Sequence, residues 1–225
     1  MEESDPENVT LITADASKHY DLIYKMFVEK FSQSAPMPVA LGATPEDMDK
    51  FFKQIVDNTL TQNNSILAYI GEKCVGFALN FIETEPKKSN INPEEDFDGD
   101  LTEEIAKNHW GNFPANAIAA MMSESSKNFE YYIPDSKKFF KLRILYVDPE
   151  QTGKGIGTKL VAKCIVIAKM NECDHLITIA AAAASAHGFK VVREIPVSAY
   201  KQNEKQIFSN LPDGCKNVKL MILKI

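Results

Sequence analysis

Residues 143–158 read Arg-Ile-Leu-Tyr-Val-Asp-Pro-Glu-Gln-Thr-Gly-Lys-Gly-Ile-Gly-Thr, and this stretch decides the fold. Its apolar run, 144–147, reads as a buried strand. Asp148-Pro149 ends the strand, because proline cannot donate to a sheet ladder. Gly153, Gly155 and Gly157 then alternate with Lys154 and Ile156. From Ile156 onward, Leu160, Val161, Cys164, Ile165 and Ala168 keep a helical spacing. The unit is strand, glycine loop, helix.

Such a unit suits a phosphate. The first amides of a helix lack intrahelical partners and point along the positive end of its dipole. Glycines let the backbone approach an anion and take positive φ where a turn needs it. Two common nucleotide motifs do not fit: the Walker spacing is missing, and Gly-x-Gly-x-x-Gly fails on Thr158 and Leu160. A turn without a ligand is the competing reading, but strand, turn, glycines and helix all agree with the first.

The composition of the whole 225-residue chain bounds the answer. Its hydrophobic share of 44% and charged share of 25% are those of an ordinary globular protein, with one domain over 1–225 as the simplest organisation. A net charge of −6 argues against a nucleic-acid partner. Cys74, Cys164, Cys173 and Cys215 have neither Cys-x-x-Cys nor zinc spacing, so reduced thiols, no metal and a cytoplasmic location are expected. The acidic first residues are not a signal peptide, no apolar run reaches membrane-spanning length, and no lipidation signal ends the chain. Oligomeric state is not legible.

In chain order, 9–13 reads as a first strand, and Asp15 or Ser17 can cap a helix reaching about Phe31. Ser34-Ala35-Pro36-Met37-Pro38 interrupts it. Thr44-Pro45 starts a second helix with Met48, Phe51, Phe52, Ile55, Val56 and Leu60 on its apolar face. Residues 65–70 and 74–81 read as a hairpin around Gly71-Glu72-Lys73, and Gly76 inside it signals a bulge or the close approach of a ligand. Residues 83–138 form an insertion with a solvated acidic loop (Glu94, Glu95, Asp96, Asp98, Asp100) and helical stretches at 101–109 and 114–129; such an insertion could shape a pocket, with His109-Trp110 in its wall. Strands follow at 139–147, 175–179, 190–197 and 218–225, with an alanine-rich helix predicted at 180–186. Tyr146 and Tyr200 read as core or wall aromatics.

The central stretch resembles the acetyl-CoA signature of the GNAT superfamily of N-acetyltransferases, with Gly155 and Gly157 at its glycine positions. Thr152 stands where the signature has Arg or Gln, and Gln151 lies one residue early. Gly188-Phe189 after a short helix also resembles the superfamily, and Val192-Arg193-Glu194-Ile195, Tyr200, Ile207-Phe208, Lys219-Leu220-Met221-Ile222 and Pro36-Met37 are similar to the arylalkylamine N-acetyltransferase-like branch of insects and nematodes. The resemblance implies an α/β fold with a mixed, mostly antiparallel central sheet and helices on both faces. It implies acetyl-CoA as cosubstrate and a small primary amine, of arylalkylamine or polyamine type, as acceptor. Leu145, Tyr146 and Val147 would pair with the pantetheine arm, where a bulge would splay the strands. Gln151, Thr152, Gly153, Lys154, Gly155, Ile156, Gly157 and Thr158 would hold the pyrophosphate.

The chemical half departs from the branch. Its general-base glutamate falls on Ala35, and the superfamily's tyrosine acid falls near Ala184. His187, Ser185 and Glu29 remain as catalytic candidates, with Glu83 as a further carboxylate. Two alternatives stay open: a CoA-binding protein of this fold with weak or lost catalysis, and an acetyltransferase of protein N-termini or lysines.

Overall fold

The structure, a computed structural model, describes residues 9–85, 88–180 and 187–225. These build a seven-stranded sheet from β1 (Val9–Thr13), β2 (Ile66–Ile70), β3 (Lys73–Thr84), β4 (Lys138–Val147), β5 (His175–Ala180), β6 (Lys190–Pro196) and β7 (Asn217–Lys224). The strand order is β1-β2-β3-β4-β5-β7-β6, and β4 with β5 is its parallel pair. The other neighbours are antiparallel, so the sheet is mixed and mostly antiparallel, as expected.

Helices cover both faces. On one face α1 (Ala16–Lys25), α2 (Pro45–Thr59) and α3 (Phe113–Ser125) bury Ile23, Phe52, Ile55 and Ile118 with Phe77, Leu79, Ile144 and Tyr146 of the sheet. On the other face α4 (Ile156–Met170) buries Ile156, Leu160, Cys164 and Ala168 against Ala78, Phe140 and Leu142. Each fully buried aliphatic or aromatic side chain contributes about 1.5–3 kcal/mol, which is the main source of this fold's stability. Among the described residues no helix is long and apolar enough to cross a membrane.

Local sequence explains the helix ends. Thr44 Oγ1 accepts the Asp47 amide at 3.2 Å while Asp47 accepts the Thr44 amide at 2.9 Å, a reciprocal box with Pro45 in the first turn. Of the two candidate caps on α1, Asp15 is the cap, accepting from the Ser17 amide at 2.9 Å. The chain then continues as a π-helical turn, Met26–Phe31, whose Phe27 stacks on Phe52 at 4.0 Å. It breaks at Ala35, which has ψ 135° because a following proline disfavours the helical conformation.

The β2–β3 turn is Gly71-Glu72, one residue shorter than predicted, since Ile70 pairs directly with Lys73. At Gly76 the bulge is present, while the close approach is to protein backbone rather than a ligand. Val75 is an extra residue between the pairs Ala68–Gly76 and Tyr69–Cys74, and a Cβ at position 76 would stand 2.6 Å from the Tyr146 carbonyl oxygen. The close neighbour is the next strand.

The acidic loop is solvated at its side chains, with Glu94, Glu95, Asp98 and Asp100 exposed, but its backbone is tied down. Buried Arg193 donates to the carbonyls of Glu124 at 2.7 Å and Pro93 at 2.8 Å, and Lys127 pairs with Asp96 at 2.8 Å. Lys201 donates to the Gly99 carbonyl, and a Cβ on Gly99 would lie 2.3 Å from the Ala199 carbonyl. The loop is thus bound down through backbone groups that its polar composition hid. Its helices are Thr102–Lys107 and α3, followed by a 3-10 turn at Phe129–Tyr132. Ala180 ends β5, and the rest of the predicted alanine-rich helix, with Ser185 and Ala184, lies outside the described residues.

Candidate active site

The site begins with one extra residue. Leu79 of β3 faces Ile144 of β4, but Asn80 faces Leu142, so Arg143 has no partner across the ladder. Residues two apart on a strand normally share a face. Here Leu142 belongs to the core under α4, whereas Ile144 and Tyr146 belong to the core on the opposite face. The bulge at Arg143 makes that switch.

The same position ends the pairing on the other side. β4 and β5 stay in register up to Leu142–Thr178, after which β4 runs on to Val147 without β5. The sheet therefore opens between two parallel strands at its centre. The expected bulge is present, two residues before the expected Leu145.

Beyond the opening, β4 leads into the glycine loop. Asp148 donates its amide to the Val75 carbonyl at 2.8 Å and accepts the Glu150 amide at 3.1 Å, setting a 3-10 turn at Pro149–Gln151. Burial alone would raise the Asp148 carboxyl, but the Glu150 amide and the Lys30 ammonium at 3.3 Å outweigh it and hold it below its ordinary value. The Thr152 hydroxyl donates back to the Pro149 carbonyl, and Lys154 donates to the Gln151 side chain at 2.9 Å. Gly155 caps α4 with φ +71°, a conformation that favours glycine. Gly157 differs, because a Cβ there would make only an ordinary 3.7 Å contact with Val147. Leu145 and Val147 are half-buried against the α4 core, while Tyr146 is buried on the other face, its ring 5.2 Å from Phe77 and its hydroxyl without a partner among the described residues. Its hydroxyl is pushed up to about 12, chiefly by burial.

On the α1–α3 face of the opening lies a cavity of about 270 Å³. Phe51 and Gln54 of α2, Trp110, Met122 and Ser126 on and after α3, Lys141 and Arg143 of β4, and Ile179 of β5 form its wall. Trp110 packs on Phe51 at 5.1 Å, so the expected pocket role of Trp110 holds while His109 is exposed. Lys141 is pushed down to about 8, first by burial and then by neighbouring Arg143, which burial also lowers.

The structure does not bring the catalytic candidates together. Glu29 is exposed on the π-helical turn, Glu83 is exposed near the end of β3, and neither lines the cavity. His187 is half-buried, its Nε2 has no partner among the described residues and it does not line the cavity, and Ser185 lies outside the described residues. Ala35 is 8% exposed and does not line the cavity. Tyr200 is a core residue whose hydroxyl lies 2.9 Å from Ser125 Oγ. Sequence reading passed over Lys141 and Arg143. Their signal was present: two basic residues alternate within the apolar run 139–147. Among the described residues no three His, Cys, Asp or Glu side chains cluster as a metal site.

Comparison with known proteins bears on this architecture. Residues 23–189 match the model of the acetyltransferase (GNAT) family. Arylalkylamine N-acetyltransferase 2 from Aedes aegypti is 25% identical, with 97% of this chain and 99% of that chain covered and a TM-score of 0.77. An agmatine N-acetyltransferase shares the fold at 12% identity, covering 97% of this chain and 100% of its own, with a TM-score of 0.72. The polyamine N-acetyltransferase of Drosophila melanogaster also shares it, at 12% identity, 96% and 100% coverage and a TM-score of 0.70. No curated protein sequence matches the chain.

Proposed function

The chain belongs to the acetyltransferase (GNAT) family and is an acyltransferase, and from that premise we propose that it transfers acetyl from acetyl-CoA to a small primary amine. The observation that carries the reading is the opening between β4 and β5, with the glycine loop beyond it and the cavity on one face. In this reading the pyrophosphate sits on the first amides of α4, around 152–158, and the pantetheine arm enters the opening along Leu145, Tyr146 and Val147. Gly157 supports the placement, because the fold itself has room for a side chain there.

The thioester then lies at the bulge, facing the cavity. The amine lone pair attacks the thioester carbon, the carbon–sulfur bond breaks, and the proton shed by nitrogen ends on the CoA thiol. Amides on the free edge of β4 would stabilise the oxyanion. The nitrogen must be neutral to attack, yet alkylamines titrate near about 10. Among the described residues no carboxylate or histidine lines the cavity, so the acceptor loses its proton to solvent before it reacts.

A small cavity favours a small acceptor over a protein chain. A CoA-binding protein with lost turnover is the second reading, favoured by the buried Ala35 in place of a base. Thiol release from acetyl-CoA, followed across phenethylamine, agmatine, phenylalanine, phosphoethanolamine and a lysine-containing peptide, separates them. The proposal expects turnover with a small amine, rising with pH towards the acceptor's own pKa. Tight acetyl-CoA binding without thiol release from any acceptor would establish the second reading instead.

A further inference from the structure

The acceptor cavity is walled by two cations from neighbouring positions of one strand. Lys141 and Arg143 both line it, and both are half-buried. Neither forms an ion pair or a hydrogen bond with a described residue, and Arg143 Nε is buried without a partner. Lys141 has partial compensation, lying 5.4 Å from the Phe129 ring centroid and 5.9 Å from that of Phe81. Glu83 and Glu130 act on it from a distance, and Arg143 opposes them. The segment 181–186, which follows β5, consists of alanines and one serine, so it offers no counter-charge.

An unpaired cation in a desolvated wall is costly, by several kcal/mol when fully buried. A protonated amine entering this cavity would add a third positive charge. Both problems disappear if the occupant carries an anion. A guanidinium offers a planar fork to a carboxylate or phosphate, and a lysine beside it adds a point charge. Phe51 and Trp110, which also line the cavity, would take the apolar part of the molecule.

We propose that the acceptor is an amine bearing an acid group, a carboxylate or a phosphate, which Arg143 and Lys141 hold while its nitrogen faces the thioester. This deepens the proposed acetyl transfer and rests on it for the reaction, but the binding claim can be read separately. Arg143 acts as the specificity-determining contact. Lys141 assists while protonated, so its help fades as pH rises through about 8.

Trp110 makes the test direct, because it is the only tryptophan of the chain and stands in the cavity wall. Its fluorescence is titrated with phenylalanine against phenethylamine, and with phosphoethanolamine against ethanolamine, in the presence of CoA. The expected result is at least about tenfold tighter binding of one acid-bearing member over its partner, and which pair responds tells carboxylate from phosphate. In thiol-release assays with the same acceptors, kcat/KM should show the same preference. Arg143→Gln should lose that preference while acetyl-CoA affinity stays unchanged, and Arg143→Lys should restore part of it. Equal or tighter binding of phenethylamine and ethanolamine would overturn the proposal. So would loss of acetyl-CoA affinity in Arg143→Gln, which would assign the cation to the donor. Anion-selective binding without turnover would keep this inference and sink the acetyl transfer, so the two can fail separately.

Discussion

The glycine loop and the cavity are two ends of one site, and they are built in opposite ways. The loop is local. Residues 148–158 set its shape through their own backbone: the Asp148 turn, the positive φ of Gly153 and Gly155, and the start of α4. The cavity draws on α2, Trp110, α3, β4 and β5, which lie far apart in the chain, and its charge comes from side chains. A site made of consecutive amides can be read from a motif, whereas one made of distant side chains depends on register. The contrast predicts that substitutions in the loop cost ligand affinity, while changes in register cost the fold.

The largest effect should come from deleting Arg143. Without the extra residue, Ile144 and Tyr146 turn towards the α4 face or Leu142 turns away from it, and large core side chains land on the wrong side. The expected loss exceeds about 4 kcal/mol, seen as a collapse of the thermal transition. A deletion variant that melts like the wild type would show that the bulge does not set the register.

Gly157→Glu comes next. The fold accepts a side chain at this position, and replacing a helical glycine should hold or raise stability by up to about 1 kcal/mol. A carboxylate at the phosphate end should weaken acetyl-CoA binding by about a hundredfold or more, checked by calorimetry. Gly155→Ala makes the comparison sharper. Its φ of +71° should cost about 1–2 kcal/mol of stability, mixing strain with binding where Gly157 does not.

A smaller effect is expected at Trp110→Ala. Losing the ring that packs on Phe51 at 5.1 Å should raise the acceptor KM by about tenfold and leave acetyl-CoA affinity alone.

The smallest lies at the join, in Asp148→Asn. The amide keeps an acceptor for the Glu150 backbone but loses the Lys30 charge pair, which is exposed on the lysine side and worth under about 1 kcal/mol. The Asp148 carboxyl is depressed in the folded protein, so its contribution is present above the ordinary carboxylate range and disappears as pH falls through its lowered value. Wild type and variant should therefore differ slightly at neutral pH and converge in acid melts. A difference that grows on acidification would contradict the pairing.

Legibility followed the same division. The strand, loop and α4 were plain in 143–158, because each signal there is carried by neighbours in sequence. The helix start at Thr44-Pro45 and the bulge at Gly76 were plain for the same reason. The carboxylates of the acidic loop at 92–100 are exposed as expected, but its anchors are not legible, since they are the carbonyls of Pro93 and Gly99 meeting the Arg193 side chain and the Lys201 amide from distant parts of the chain. Lys141 and Arg143 were passed over because β4 could be recognised without them. Once the bulge is known, they become the charged wall of the cavity. Glu29 and His187 lie on elements that could face the cleft, but sequence does not say which face of those elements meets the opening.

The central claim is that donor and acceptor occupy separate ends of one site joined at the β4–β5 opening. Steady-state kinetics with acetyl-CoA and the best acceptor, run on wild type, Gly157→Glu and Trp110→Ala, tests it most directly. The account predicts that Gly157→Glu raises the KM for acetyl-CoA alone and Trp110→Ala raises the KM for the acceptor alone. Both variants raising the same KM, or Gly157→Glu leaving acetyl-CoA saturation unchanged, would contradict it.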